Sequence, residues 1–499
     1  MSSALSFPAR DSGFVSYITA RHFIGGAFVD ASSGEALAVA NPRYGESMGD
    51  VQLGNAADVD RAVAAAKAAF PGWKATPIKE RAQILYRLKA LMERDLEELA
   101  WLLSHEHGKV FAQAEASVKK GIECLEFACS LANGAAAGGI LEVSRGVTCQ
   151  VRHEPLGVVA GIAPFNFPMM VPLWMLPNAL AAGNCFVLKP SEQVPFNMQK
   201  LAVLLQEAGL PDGVFNIVNG TKPVVEALVD HPDVKAVGFV GSTKVAKLLY
   251  ERGARLGKRM LCLGGAKNHL LVVPDADLRI TADNVIASAY GTAGQRCMAA
   301  SVLVAIGDVQ HVVDAIAERT RALVLGRDMG PVISAAAKAR IEAYIDDAEA
   351  RGATILVDGR GASVDGCPGS WVGPTIIDHA SADMPCAREE IFGPVLTVVR
   401  VATVDEGLAI ENANPYGNAA CIYTTTGYIA EYCLERFEAG MCGVNIGVPV
   451  PREPFAFGGW NDSKFGHGDI TGDDGFHFWT RARKVTSKWA LQKDWNWMS

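Results

Sequence analysis

No C-x-x-C pair occurs among the eleven cysteines, and none stands at a metal-ligand spacing from a histidine. That excludes zinc modules and dithiol redox motifs, and an odd count without a framework spacing points to a reducing compartment. Basic clusters are missing too: 46 Lys and Arg against 54 Asp and Glu give a formal charge of −8, with the cations scattered among acids. Nucleic acid is therefore not an expected partner. The opening MSSALSFPARDSGFVSYITARHF has neither an apolar run behind a basic start nor an Arg- and Ser-rich amphipathic pattern, so the expectation is a cytoplasmic protein without an export or transit segment. Internal repeats, low-complexity tracts and long linkers are lacking as well. Charge itself is absent from Pro155 to Leu188, a stretch long enough to span a bilayer. Pro155, Pro164, Pro168, Pro172 and Pro177 interrupt any continuous helix there, and Asn166, Asn178 and Asn184 carry amides that lipid cannot satisfy. The segment reads as a buried strand, loop and helix start, with no membrane partner.

What is present is an ordinary globular composition, 49% hydrophobic and 20% charged over 499 residues, enough for two or three packed units. Residues 23–53 alternate apolar pairs with Gly, Asn-Pro and Ser-Ser-Gly, the pattern of β-hairpins. The period then changes to helical, with one stripe in 56–70 and another through 78–104. From residue 151 the runs GVVAGIAP, NCFVLKPS, GVFNIVNG and AVGFVGS are each followed by a helical segment, which predicts an α/β fold with a parallel sheet. A second alternating region starts at HLLVVPDAD and runs to about residue 450. The aromatic tail alternates in HFWTRARKVTSKW like a strand, and an apolar terminal strand invites pairing with another chain. A homo-oligomer is expected, with this tail and the 130–150 segment forming a small arm.

Residues 291–301, GTAGQRCMAAS, set a thiol directly after a guanidinium in a run of small residues. A neighbouring cation and room for a substrate are what turn a buried small hydrophobe into a reachable thiolate. Two other stretches suit a dinucleotide. In AVGFVGSTKVAKLLYERG a strand ends at Gly241 and Ser242 and opens a helix, whose free amides and dipole seat a phosphate. In NCFVLKPSEQ a strand runs out into Lys189, Ser191 and Glu192, at the sheet edge where ligands of parallel sheets bind. A carboxylate at that edge grips ribose hydroxyls and repels a 2′-phosphate.

Together with PFNFP at 164–168, LGG at 263–265, GQRC at 294–297 and EEIFGPV at 389–395, these stretches resemble the aldehyde dehydrogenase superfamily, in its motif order and from about residue 22 to 490. The resemblance implies an aldehyde dehydrogenase-like fold: a Rossmann-type NAD-binding domain (1–127 and 151–262), an α/β catalytic domain (263–452) and a β oligomerisation arm (128–150 and 478–499) building a dimer or tetramer. It implies Cys297 as nucleophile, small residues around it keeping a tunnel open, and an oxyanion hole from the Cys297 amide and the Asn166 side chain. By the same resemblance Pro164, Phe165, Lys189, Ser191, Glu192, Gly241, Ser242, Leu263, Glu390 and Phe392 hold the cofactor, NAD, and no metal is needed.

One departure matters. Hydrolytic members read E-L-G-G-K, whereas this chain reads C-L-G-G-A-K, with Cys262 in place of the water-activating Glu; where many carry Trp-Lys, it has Trp174-Met175. Loss of a general base removes roughly 10²–10⁴-fold from water attack. A thiol, roughly a few per cent ionised at neutral pH, attacks a thioester with little help, which favours coenzyme A as acyl acceptor. LWMLPNALAAGN, GGAKNH, YERGARLGKR and VPVPREPFAFGGW resemble the CoA-acylating methylmalonate-semialdehyde dehydrogenases. That likeness implies a small acidic aldehyde, held by Arg296 and, where the branch has a second arginine, by Lys120, with Trp174 in the pocket. A hydrolytic NAD-dependent enzyme releasing a free acid is the alternative, and a binding protein on the same fold is a third reading.

Overall fold

Apolar strands that alternate with helices leave little choice but a covered parallel sheet, and the computed structural model, which describes residues 15–17 and 19–489, contains two. The first has eight strands in the order Ala27–Val29, His22–Ile24, Phe215–Ile217, Cys185–Lys189, Val158–Ile162, Val234–Val240, Arg259–Leu263 and Lys464–Phe465. Its five central strands are parallel, with Val158 opposite Cys185, Gly161 opposite Gly238 and Phe239 opposite Cys262. The second has seven, in the order Thr354–Val357, Thr375–Asp378, Val395–Val401, Ala300–Ile306, Asn268–Val272, Ala419–Tyr423 and Met441–Val444, parallel except for the antiparallel edge at Thr354–Val357.

These sheets have separate apolar cores. Four residues, Gly264 to Lys267, connect Arg259–Leu263 to Asn268–Val272, so the carboxyl edge of the first sheet faces the amino edge of the second. That meeting line collects the sequence motifs.

The charge-free segment forms the strand Val158–Ile162, the helix Met170–Ala181 and the strand Cys185–Lys189, every one of their residues buried. Among the described residues no helix is long and apolar enough to cross a membrane. Hairpins pair His22–Ile24 with Ala27–Val29 and Ala36–Ala40 with Ser47–Gln52, as the 23–53 pattern predicts. The helix Ala56–Ala75 contains the first predicted stripe. The second stripe is not one helix: Asp95, at φ −98° and ψ 18°, divides Ile78–Arg94 from Leu96–His107. Its carboxylate takes Arg94 at 2.6 Å and Lys200 at 3.2 Å, a side-chain alternative to helical continuity.

The tail strand begins later than its alternation suggests. Gly472–Phe478 is a helix that absorbs His477 and Phe478, and the strand is Thr480–Lys488. It pairs antiparallel with Val147–Pro155, which in turn pairs with Gly139–Ser144. Ile140, Leu141 and Val143 on that edge strand are exposed. Residues 490–499 of the expected arm lie outside the described residues.

Candidate active site

A tight left-handed turn presents the thiol. Thr292, Ala293 and Gly294 have φ of 56°, 51° and 67°, a conformation that non-glycine residues adopt only where surroundings hold them. Two glycines here make room for neighbouring protein atoms: a Cβ on Gly291 would stand 2.2 Å from Arg296 Nη2, and one on Gly294 2.0 Å from the Gly393 carbonyl oxygen. Beyond the turn, the Cys297 carbonyl accepts from Asn268 Nδ2 at 2.8 Å and from Asn418 Nδ2 at 3.0 Å. Asn268 stands in the quoted GGAKNH without a role assigned to it, and Asn418 stands in no quoted stretch. Asn166 Nδ2 donates to the Gln295 carbonyl at 3.0 Å, which ties the PFNFP loop to the thiol loop and leaves that amide a second hydrogen to offer.

The guanidinium does not make the resting thiol a thiolate. Burial pushes Cys297 up to about 12, the Glu390 charge adds to this, and the opposing pull of Arg296 is smaller. Arg296 is turned back onto its own loop, its Nε 3.2 Å from Thr292 Oγ1 and its Nη1 3.4 Å from the Ala287 carbonyl. The expected activation by the adjacent cation is thus overridden by desolvation.

Behind the PFNFP loop lies a buried lysine that sequence reading misses. Lys109 is 1% exposed, its Nζ donates to the Asn166 carbonyl at 2.7 Å and stands 4.5 Å from the Phe167 ring centroid. Burial lowers its ammonium well below the lysine range, with Arg296 adding to the effect. His107, also buried and without a partner for either ring nitrogen, stacks on Phe165 at 6.0 Å. The loop that carries Asn166 is therefore clamped from the rear.

Two cavities meet at Cys297, both also lined by Phe167 and Trp174. The first, of about 500 Å³, runs along the carboxyl edge of the eight-stranded sheet. Pro164, Phe165, Asn166, Lys189, Ser191, Glu192, Gly241, Ser242, Glu390 and Phe392 all line it, so the structure brings these predicted residues together. Lys189 Nζ contacts Glu192 Oε2 at 2.7 Å. Ser242 is the N-cap of the helix Thr243–Arg255 yet makes no side-chain capping bond, leaving its hydroxyl available to the cavity. Phe392, at φ 53°, meets Phe165 edge-on at 5.9 Å. Glu390 Oε1 accepts from the Ala266 amide at 3.0 Å, and a Cβ on Gly265 would stand 2.4 Å from its Oε2. Burial raises the Glu390 carboxyl to about 7. Leu263 is the exception: it does not line the cavity, and its carbonyl accepts from the Gly241 amide at 3.1 Å.

Cys262 lies inside the strand Arg259–Leu263, 0% exposed and on neither cavity wall. Burial pushes its thiol to about 12. Met175 is equally buried and lies against the sheet glycines Gly161 and Gly238. Both positions are core, not site. The carboxylates on the two walls are Glu192, paired with Lys189, and Glu390.

Comparison with known proteins agrees with this geometry. The model of the aldehyde dehydrogenase family matches residues 28–485. The chain belongs to that family. Malonate-semialdehyde dehydrogenase 1 of Geobacillus thermodenitrificans (strain NG80-2) is 45% identical, over 94% of this chain and 99% of the relative. A methylmalonate-semialdehyde dehydrogenase structure from Oceanimonas doudoroffii superposes with a TM-score of 0.93 at 43% identity, covering 95% of this chain and 99% of that one. A provisionally assigned methylmalonate-semialdehyde dehydrogenase from Sinorhizobium meliloti 1021, solved with NAD, gives 0.94 at 41% identity, over 96% and 99% of the two chains.

The second cavity of this aldehyde dehydrogenase, also about 500 Å³, shares Cys297 with the first. Trp174, Lys120 and Arg296 line it, as do Ser117 and Arg452, the latter within the quoted VPVPREPFAFGGW although no role was given to it there. Lys120 is not free to grip a substrate. Its Nζ is 2.9 Å from Glu453 Oε2 and 3.1 Å from Glu123 Oε2.

Proposed function

We propose that this chain oxidises a short acidic aldehyde, malonate or methylmalonate semialdehyde first, to the corresponding acyl-CoA, with NAD as hydride acceptor and Cys297 as nucleophile. The observation that carries the choice of acceptor is the burial of Cys262 and Met175: of the positions where hydrolytic relatives keep proton-handling groups, one is packed within the sheet and the other against it. The NAD assignment is supported by the first cavity, whose free Ser242 hydroxyl, helix start and Lys189–Glu192 pair suit a pyrophosphate and an adenosine ribose. Glu192 disfavours a 2′-phosphate, hence NAD over NADP.

Proximity of the aldehyde carbon to Cys297 Sγ, at the junction of the two cavities, sets up addition and a thiohemiacetal. Because the resting thiol is held protonated, addition requires its proton to pass to water in the adjoining cavity as the C–S bond forms and the carbonyl π pair moves onto oxygen. The developing oxyanion is received by the Cys297 amide and the free hydrogen of Asn166 Nδ2, each such donor worth about 3–4 kcal/mol of barrier. NAD, when bound, supplies the acceptor for the hydride the adduct loses, leaving a Cys297 thioester. A CoA thiolate then displaces Cys297 and carries the acyl group away. Localisation in the cytoplasm and assembly through the three-stranded arm complete the reading.

Steady-state NADH formation is expected to depend strongly on added CoA, with acyl-CoA as product. Brisk CoA-independent turnover to free acid would favour a hydrolytic enzyme. One observation favours that second reading: Glu390, raised to about 7 and lining the cavity with Cys297, has the affinity of a general base. If Glu390 activated water, Glu390→Gln would abolish acid release while sparing the first NADH burst; on the acylating reading its loss weakens hydride transfer itself.

A further inference from the structure

The oxyanion donor and the nucleophile are carried by different halves of the molecule. Asn166 follows the strand Val158–Ile162 of the eight-stranded sheet, and its neighbours Ala163 and Phe167 pack with the first apolar core. The thiol turn follows the helix Leu278–Tyr290 and precedes the strand Ala300–Ile306 of the second sheet, with Tyr290 and Ala293 in the second core. Neither core by itself fixes where Asn166 Nδ2 stands relative to Cys297. A misplacement of about 1 Å between reacting groups lowers a rate by about 10²-fold, so the bonds that cross between the halves decide the efficiency of the step.

Residues 107–113 send a bond to each loop. Gly108, at φ 89°, ends the helix Leu96–His107, and the helix Phe111–Ser130 follows almost at once. From this turn Lys109 Nζ donates to the Asn166 carbonyl at 2.7 Å, while Gln113 Oε1 accepts from the Thr292 amide at 3.0 Å, where the left-handed thiol turn begins. The circuit closes on its far side. Asn166 Nδ2 donates to the Gln295 carbonyl at 3.0 Å, and Gln295 Oε1 accepts from the Ile333 amide at 3.1 Å. The chain just before Ile333 lies against the turn, where a Cβ on Gly330 would stand 2.2 Å from the Gly108 carbonyl oxygen. A lysine is a demanding residue for this buried place, because its nitrogen loses hydration, and the Phe167 ring at 4.5 Å compensates only in part. An apolar side chain could occupy the space, but only a donor can hold the Asn166 carbonyl.

We propose that Lys109 and Gln113 are positioning residues for the chemical step: one turn holds the PFNFP loop by the Asn166 carbonyl and the thiol loop by the Thr292 amide, and so keeps the Asn166 side-chain amide in register with the oxyanion that forms as Cys297 adds to the aldehyde. This rests on the reading of Cys297 as nucleophile and adds the device that aligns its oxyanion donor. Lys109 is on the wall of neither cavity, so it acts through Asn166 rather than on a bound molecule. Gln113 does line the second cavity, and the aldehyde KM is therefore followed beside the rate.

The test is the rate constant of the first NADH burst, followed by stopped flow in the full-length enzyme with saturating NAD and malonate semialdehyde and no CoA. Lys109→Met, Gln113→Met and Asn166→Ala are compared with the two double variants that combine each Met substitution with Asn166→Ala. Asn166→Ala is expected to lose about 10²–10³-fold. Lys109→Met should lose about tenfold or more and Gln113→Met a few-fold, with KM for NAD and aldehyde within about twofold of native. Iodoacetamide should label Cys297 at the native rate in both. In the Asn166→Ala background no side-chain amide is left to align, so either second substitution should change the burst by less than about twofold. Losses that multiply overturn the inference, as does a Lys109→Met burst equal to native, or labelling slowed in proportion to the burst. If thermal melts show that Lys109→Met does not fold, the cycle of Gln113→Met with Asn166→Ala decides alone. A native burst that is absent, or that survives Cys297→Ser, overturns the thioester reading and this inference together; CoA-independent turnover overturns the acylating reading alone, because the burst precedes the acceptor.

Discussion

At the scale of single residues, the thiol after a guanidinium turns out to be governed by burial. Cys297 is easy to find in GTAGQRC, yet its state is not, since Arg296 folds back on Thr292 and Ala287 and the desolvation of Sγ dominates. The rate at which iodoacetamide labels Cys297 in the cofactor-free enzyme, followed by peptide mass, is expected to climb with pH through 10 without levelling; a plateau near neutrality would contradict the raised thiol. Asn166, Lys189, Glu192 and Glu390 were legible because each stands in a short motif that chemistry can interpret. The roles of Lys109, Asn268 and Asn418 were not, although Asn268 stands in GGAKNH: their acceptors are backbone carbonyls of Asn166 and Cys297, which any residue type provides.

At the scale of elements, the period of the apolar residues identified strands and helices well and their ends poorly. Five prolines in a charge-free run were enough to reject a membrane helix, and that run is indeed strand, helix and strand. The break at Asp95 and the start of the last strand at Thr480 depend on side chains from distant segments, Lys200 in the first case and Val147–Pro155 in the second. A further long-range device is Glu106, at the end of Leu96–His107, whose oxygens accept from the Phe196 and Asn197 amides at 2.9 Å each and so cap the helix Phe196–Glu207. Glu106→Ala leaves these donors unpaired and is expected to destabilise the fold by about 1–3 kcal/mol for each, read from urea midpoints. Burial raises the Glu106 carboxyl from 4.5 to about 8, so between these values the folded chain binds the extra proton and Glu106 contributes less stability as pH rises. Glu106→Gln should flatten that decline; an unaltered slope would count against it.

At the scale of the whole molecule, the joining of two parallel sheets by Gly264 to Lys267 puts the cofactor edge and the thiol loop on one line, and two cavities share Cys297 as a wall residue. Ile140, Leu141 and Val143 on the arm's edge strand are exposed in the single chain, the kind of edge on which the proposed assembly through the arm rests. Removing residues 480–499 strips the strand Thr480–Lys488 from the arm and is expected to shift the protein to monomer on a sizing column; unchanged elution would remove the arm from assembly. The central claim concerns what happens after hydride leaves. Intact mass spectrometry of the enzyme mixed with malonate semialdehyde and NAD, without CoA, should show one acyl group on Cys297 that persists for many turnover times and disappears on addition of CoA, with acyl-CoA formed in equal amount. An adduct that decays just as fast in buffer alone, yielding free acid, would contradict the account.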